Sequence, residues 1–117
     1  MVDHAIAEYA KQGQSVLEDM NDPYGEYRRG ALYIFVVGTD GITKANAGNT
    51  TAVGDHVDEV LDVDGSSIGV RMRQIASEDG AWMTYSFTNP ATGKVQTKHS
   101  WVRLHQDLIF GSGFYDE

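Results

Sequence analysis

Apolar residues recur every three or four positions along the first twenty residues, which is the spacing of one face of an α-helix. This stripe predicts an amphipathic helix over residues 1–21, ended by Asn21-Asp-Pro23. Gly13 fills the one gap in the stripe, so it indicates either close approach of a neighbouring backbone or a plainly tolerated glycine. The helix is equally suited to pack on the domain's own sheet or to pair with its copy in a homodimer. The apolar positions are Val2, Ala5, Ile6, Tyr9, Val16, Leu17 and Met20.

Runs of β-forming and of alternating residues follow, and they predict an antiparallel sheet. Asp40-Gly41 favours a tight hairpin turn after the first run, and residues 89–93 form a turn cluster later in the chain. The sequence does not determine how the last strand pairs, so it leaves open whether Phe110 or Tyr115 reaches a ligand pocket. The predicted strands cover residues 31–37, 42–46, 81–88, 95–104 and 108–115.

A loop and two short helices are predicted between the second and third strands. Residues 45–52 are small and polar, which is typical of a loop that covers another part of the fold. Asp55 is a candidate N-cap for one or two helical turns, and Ser66-Ser67 is the candidate cap of a helix that starts at Ile68. The element order predicts an α+β fold with a PAS-like five-stranded antiparallel sheet, a long N-terminal helix and short helices on one face.

Length and charge restrict the classes of function. A chain of 117 residues is sized for one domain, here residues 1–117 with a PAS-like core over 31–115. Its net charge of −8 leaves no basic surface for nucleic acid or anionic membranes. The longest apolar run, residues 31–37, is much shorter than the roughly 20 residues that span a bilayer. Nucleic acid and membrane are therefore not expected as partners.

Motifs for catalysis or metal binding are not found in the sequence. Cysteine is absent, and the four histidines have no zinc-ligand spacing. Asp62-Val-Asp-Gly65 resembles part of an EF-hand loop, but that register places Val60 and Arg71 at calcium-ligand positions, where neither can coordinate. No Gly-x-Ser-x-Gly elbow supports a nucleophilic serine. We therefore expect no catalytic residue, no metal and no cofactor.

The hairpin of the third and fourth predicted strands brings together the most informative residues. If the residues that flank its turn pair with each other, Tyr85 faces Lys98 and Met83 faces Ser100 on one side of the sheet. A lysine and a tyrosine hydroxyl on an otherwise apolar face suit a small carboxylate, which needs a cation and a hydrogen-bond donor once water is removed. Two alternatives stay open: Lys98 could extend to solvent at the sheet edge, or a one-residue slip could bring the other strand faces together.

A series of short motifs runs in order through the chain. They are Tyr33-Ile-Phe-Val36, Asp40-Gly41, Gly54, Asp62-Val-Asp-Gly65, Trp82 to Tyr85, Asn89-Pro-Ala-Thr-Gly93, Lys98-His-Ser-Trp-Val102 and Gly111-Ser-Gly-Phe-Tyr115. This ordered set resembles the single Cache family of sensor domains, over about residues 33–115. Many members carry a His-Pro pair after the second strand, whereas this chain has Ala45-Asn46. This departure leaves the ligand class open.

The resemblance implies a periplasmic or otherwise extracytoplasmic sensor domain, used as the input module of chemotaxis and other signal-transduction receptors. Its ligands would be small molecules, often short organic acids, and the family's lysine and tyrosine strands match Lys98 and Tyr85. With neither flanking transmembrane segment in the sequence, the chain would be an excised receptor region or a free-standing protein. The candidate ligand-binding residues are Tyr33, Phe35, Met83, Tyr85, Lys98 and Ser100.

We expect a non-catalytic domain whose residues 45–52 close over a small anion. Lys98 would neutralise the ligand's charge, Tyr85 would donate a hydrogen bond, and Tyr33 and Phe35 would form the apolar wall. The alternative is an interaction or scaffold domain that fills its pocket with its own side chains and forms a homodimer through the N-terminal helix. An acid-base enzyme is disfavoured because the predicted pairing places no carboxylate or imidazole beside Tyr85.

Overall fold

One antiparallel sheet of six strands forms the centre of the molecule. In the computed structural model, which describes residues 1–116, the strands are β1 (Arg28–Arg29), β2 (Leu32–Gly38), β3 (Thr43–Asn46), β4 (Ala81–Thr88), β5 (Val95–His105) and β6 (Leu108–Tyr115). Their order is β1-β2-β6-β5-β4, and β3 also pairs with β2. The α+β fold is as predicted, and the two-residue strand β1 is added to the five predicted strands.

The N-terminal segment is helical, as predicted, but a 3-10 turn at Gly13–Ser15 divides it into α1 (Val2–Gln12) and α2 (Val16–Met20), so it is not one regular α-helix. Gly13 follows α1 with a φ of 69°, a conformation that glycine adopts without steric strain. A Cβ atom at Gly13 would meet no atom within 4 Å, so this glycine does not serve close backbone approach. Its role is to break the helix.

Different helices cover the two faces of the sheet. α1 packs on the face that carries Phe110, whose ring centroid lies 5.6 Å from that of Tyr9. The apolar stripe of α1 and α2 is therefore directed at this domain's own sheet. The opposite face is covered by α3 (Ile68–Ile75) and by single 3-10 turns at Thr50–Ala52 and Val57–Glu59. The short helices lie on one face, as predicted, and Phe110 lies on the other.

Side-chain caps fix the start of α3 and of the turn at Val57–Glu59 on that face. The Ser67 hydroxyl accepts a hydrogen bond from the backbone N–H of Val70 at 3.2 Å, which confirms the predicted cap of α3. The turn at Val57–Glu59 is instead capped by His56, whose Nδ1 accepts from the N–H of Asp58 at 3.3 Å. The expectation that Asp55 caps this turn is wrong, and its side chain remains exposed.

The β4–β5 hairpin has the predicted register. Tyr85 lies opposite Lys98 and Met83 lies opposite Ser100, so a one-residue slip is excluded. On the other side of β5, Tyr115 of β6 also lies opposite Lys98. Directly paired residues share a face of a sheet, so the register places Lys98 between two tyrosines on the face covered by α3.

The outer edge of β4 is occupied by side chains from the α3 region. Arg71 donates to the carbonyl of Thr84 at 2.9 Å, and Asp62 accepts from the backbone N–H of Ser86 at 3.2 Å. Arg71 and Asp62 also approach each other to 3.5 Å. An edge strand otherwise presents free N–H and C=O groups. These contacts fasten the covering segment to the edge of the sheet.

Candidate functional site

A cavity of about 460 Å³ lies between the sheet and the segments that cover it. Its floor is formed by β2, β4 and β5, its roof by α3 and the turn before α3, and its rim by the loop after β3. Successive side chains of a strand point to opposite faces, so Tyr33, Phe35 and Val37 of β2 all reach the floor. The volume falls in the range of pockets that bind small molecules.

Lys98 is the one basic residue that lines the cavity within the described part of the chain, and it is only 1% exposed. Four aromatic rings surround its ammonium group. Nζ lies 4.2 Å from the ring centroid of Tyr33 and between 5.1 and 5.5 Å from those of Phe35, Phe87 and Tyr115. Attraction between a cation and these ring faces offsets part of the cost of removing the ammonium from water. We refer to the four rings as the aromatic cage.

The Lys98 ammonium contacts a hydroxyl group, not a carboxylate. Nζ donates to the Tyr33 hydroxyl at 3.0 Å, which lies 3.1 Å from the Tyr115 hydroxyl, and Tyr115 donates to the carbonyl of Thr88 at 3.2 Å. Among residues 1–116, no carboxylate forms an ion pair with Lys98. Burial without a counter-ion lowers the pKa of Lys98 to about 7. At pH 7 Lys98 is therefore charged in only about half of the unliganded molecules, and an entering anion would favour its protonated form.

Tyr85 and Ser100 form a second polar pair beside Lys98. Their hydroxyl oxygens are 2.8 Å apart, and both residues are buried. Burial raises the pKa of Tyr85 well above its ordinary value, so the hydroxyl keeps its proton at neutral pH. Because either hydroxyl can be the donor of this bond, Tyr85 can turn its proton towards a ligand while it accepts from Ser100.

The rim of the cavity is polar and closely packed on the floor. Asn46, Asn49 and Asp55 line it. The side-chain oxygen of Asn46 accepts from the backbone N–H groups of Gly48 and Asn49, both at 2.9 Å, which holds the loop in a tight turn. A Cβ atom at Gly48 would lie 2.7 Å from the Tyr33 ring, so glycine lets the loop rest directly on that ring. Residues 45–52 thus cover a cavity, as predicted.

Nowhere in residues 1–116 do three or more potential metal-ligating side chains come together. The four histidines lie outside the lining of the cavity. In the same described part of the chain, no helix is both long and apolar enough to cross a membrane.

Comparison with protein families agrees with the motifs and with this fold. The family model of Single Cache domain 2 matches residues 6–117. The chain belongs to the single Cache family. Comparison with curated proteins found no match.

Three solved structures share the fold of this Cache domain. A methyl-accepting chemotaxis protein from Vibrio parahaemolyticus is 18% identical, with a TM-score of 0.71, over 94% of this chain and 72% of that chain. The periplasmic sensor domain of a chemotaxis protein is 20% identical, with a TM-score of 0.73, over 99% of this chain and 85% of that one. A Cache chemosensory domain that recognises carboxylic acids is 20% identical, with a TM-score of 0.68, over 92% and 73% of the two chains.

Four of the six residues that the sequence nominates line the cavity of this Cache domain, namely Tyr33, Phe35, Tyr85 and Lys98. Met83 and Ser100 are buried on the same face but are not part of the lining. Ser100 acts on the site through its bond to Tyr85. Lys98 does not extend to solvent, so that alternative is wrong. That these residues bind a ligand remains a prediction.

Sequence reasoning missed the rest of the aromatic cage and the packing beneath it. Phe87 and Tyr115 complete the cage. Tyr115 could not be assigned to the pocket because the sequence does not determine the pairing of the last strand. Phe87 lies on the predicted face of Tyr85 and Lys98, but it carries no polar group that would mark it as a ligand contact. The Phe35 ring lies over Gly111, where a Cβ atom would approach it to 2.2 Å. The signal in the sequence was the pair of glycines two residues apart in β6, which leaves one strand face open.

Proposed function

We propose that this Cache domain is the periplasmic input module of a chemotaxis or other signal-transduction receptor and that it binds a small organic acid. Membership of the family supports a sensory, ligand-binding role rather than catalysis. The main support for an acidic ligand comes from Lys98. This residue is buried, lines the cavity and has no carboxylate partner in the described residues. The recognition of carboxylic acids by a Cache domain of similar fold agrees with this choice.

In the proposed complex, the ligand carboxylate accepts hydrogen bonds from Lys98 and from the Tyr85 hydroxyl. Charge-assisted hydrogen bonds of this kind are strong in sites that exclude water. The anion also favours the protonated form of Lys98, so the ammonium stays charged in the complex at pH 7. Tyr33 and Phe35 supply the apolar wall, and residues 45–52 close the rim.

Signalling would follow from a shift between conformations that bind the ligand with different affinity. The N-terminal helices are our proposed output element. Their apolar stripe packs on the domain's own sheet, so a homodimer through this segment would have to use its outer face. The alternative scaffold function receives less support, because it expects a pocket filled by the chain's own side chains and the cavity measures about 460 Å³.

Thermal unfolding with a panel of small acids tests the proposal. Acetate, propionate, pyruvate, lactate and hexanoate are tested, and acetamide, an uncharged analogue of acetate, is the control. An acid at 100 times its Kd should add about 2.7 kcal/mol to the free energy of unfolding. Lys98→Met should abolish the shift, and Lys94→Met, at an exposed lysine in the β4–β5 turn, should preserve it. A shift that survives Lys98→Met contradicts the role of Lys98, and no shift from any acid contradicts the proposed ligand.

A further inference from the structure

The cavity lining is polar at the rim and mostly apolar in the interior, and this difference affects which acid the site accepts. Building on the function proposed above, we propose that the ligand is a monocarboxylate with an apolar body of several carbon atoms. Acids of two carbons and dicarboxylic acids are then poor ligands. Three features of the cavity carry this inference: its charges, the residues that line its interior, and its size.

The charges of the cavity match a single carboxylate. Lys98 is the one basic lining residue within residues 1–116, and it lies in the interior. Asp55 lines the rim with an exposed side chain. A second carboxylate on the ligand would find no cation of its own in the lining, and it would meet the negative charge of Asp55 if it pointed outwards. The lining therefore disfavours a dianion.

The interior beyond the Lys98 ammonium is apolar. Apart from the lysine and the two tyrosines, Thr43 is the only buried lining residue with a polar side chain in the described part of the chain. A hydroxyl or second carboxylate placed there would lose its bonds to water and gain few in return. The buried aliphatic residues of the lining are Val37, Val57, Ile68 and Met72.

The size of the cavity excludes a good fit to the smallest acids. Its volume of about 460 Å³ is that of a pocket for a ligand much larger than acetate, which has four non-hydrogen atoms. A longer apolar body would displace water from contact with the aliphatic lining. Each buried methylene should tighten binding about fourfold, which corresponds to about 0.8 kcal/mol.

Calorimetric titration of the purified chain with a series of acids tests this inference. Acetate, butyrate and hexanoate differ only in methylene count, so each step of two methylenes should lower Kd by about 15-fold. Adipate has the carbon count of hexanoate with a second carboxylate in place of the terminal methyl, and it should bind at least tenfold more weakly than hexanoate. Acetate or adipate that binds as tightly as hexanoate overturns the inference and leaves the proposed acid-binding function intact. Absence of binding by all four acids overturns both.

Two variants of α3 test where the apolar body of the ligand binds. Met72→Gln keeps the length of a buried lining side chain and makes it polar, so it should weaken hexanoate binding at least tenfold and leave acetate binding unchanged. Ile75→Gln lies on the same helix outside the lining, at 39% exposure, and should leave both affinities unchanged. Equal losses for acetate and hexanoate in Met72→Gln contradict an apolar ligand body at this position. If Met72→Gln does not fold, the ligand series alone decides.

Discussion

Replacing Lys98 with methionine should remove a pH-dependent cost from the unliganded domain. Lys98 is buried among aromatic rings with no carboxylate partner in the described residues, and burial lowers its pKa from an ordinary 10.5 to about 7. Between these two pH values the unfolded chain holds a proton that the folded chain lacks. Stability therefore rises with pH across this interval. Below pH 7 both states hold the proton, and the full cost of burying the charge is present.

The size of the expected change in the free energy of unfolding follows from the lowered pKa of Lys98. One pKa unit corresponds to about 1.4 kcal/mol, so the complete shift corresponds to about 5 kcal/mol. Between pH 7 and pH 9.5 the wild-type free energy of unfolding should gain about 3 kcal/mol relative to Lys98→Met, in which this position carries no charge. A cost of this size is a large part of the 5 to 15 kcal/mol that stabilises a typical domain.

Urea unfolding followed by circular dichroism measures this difference at pH 7, 8, 9 and 9.5. Subtracting the Lys98→Met values removes every pH-dependent contribution that the two proteins share. Lys94→Met, at an exposed lysine, should follow the wild type at every pH. A difference between wild type and Lys98→Met that stays constant from pH 7 to pH 9.5 would refute the argument, because it would show that Lys98 has the same pKa in both states.

Three further substitutions test the packing around the site by the same urea assay. Gly111→Ala brings a Cβ atom to 2.2 Å from the Phe35 ring and should cost about 1 to 3 kcal/mol; an unchanged midpoint would mean that the ring moves freely. Tyr85→Phe leaves the buried Ser100 hydroxyl without its partner and should cost about 1 to 3 kcal/mol. A neutral result would indicate another partner for Ser100. Ser67→Ala removes the cap of α3 and should cost about 1 kcal/mol, whereas no loss would show that the cap is dispensable.

The sequence predicts those parts of the site that depend on local pairing. A short turn with clear flanking residues sets the register of β4 and β5, so the placement of Tyr85 opposite Lys98 is confirmed. The pairing of β6 depends on packing between distant segments, and its register could not be derived. For that reason the position of Tyr115 beside the lysine, and the bond from Lys98 to Tyr33, emerge only from the structure.

The break in the N-terminal helix is a second feature that the sequence does not determine. The apolar stripe has a helical period on both sides of Gly13, so periodicity predicts one helix. Glycine tolerates a positive φ at no steric cost, but the sequence does not show whether the chain uses this freedom. The cap of the turn at Val57–Glu59 was also not predictable, because two neighbouring side chains could cap it. In the structure His56, not Asp55, accepts the hydrogen bond from the backbone N–H of Asp58.

The contacts of Arg71 and Asp62 with β4 have a consequence for the behaviour of the domain in a crowded compartment. An open strand edge can recruit a strand from a second molecule and begin aggregation. Here the central carbonyl and N–H of that edge, at Thr84 and Ser86, are already bonded within the chain. An incoming strand would have to displace an ion pair before it could add to the sheet. Arg71 and Asp62 thus hinder self-association through the β4 edge, and they also hold the roof of the cavity in place.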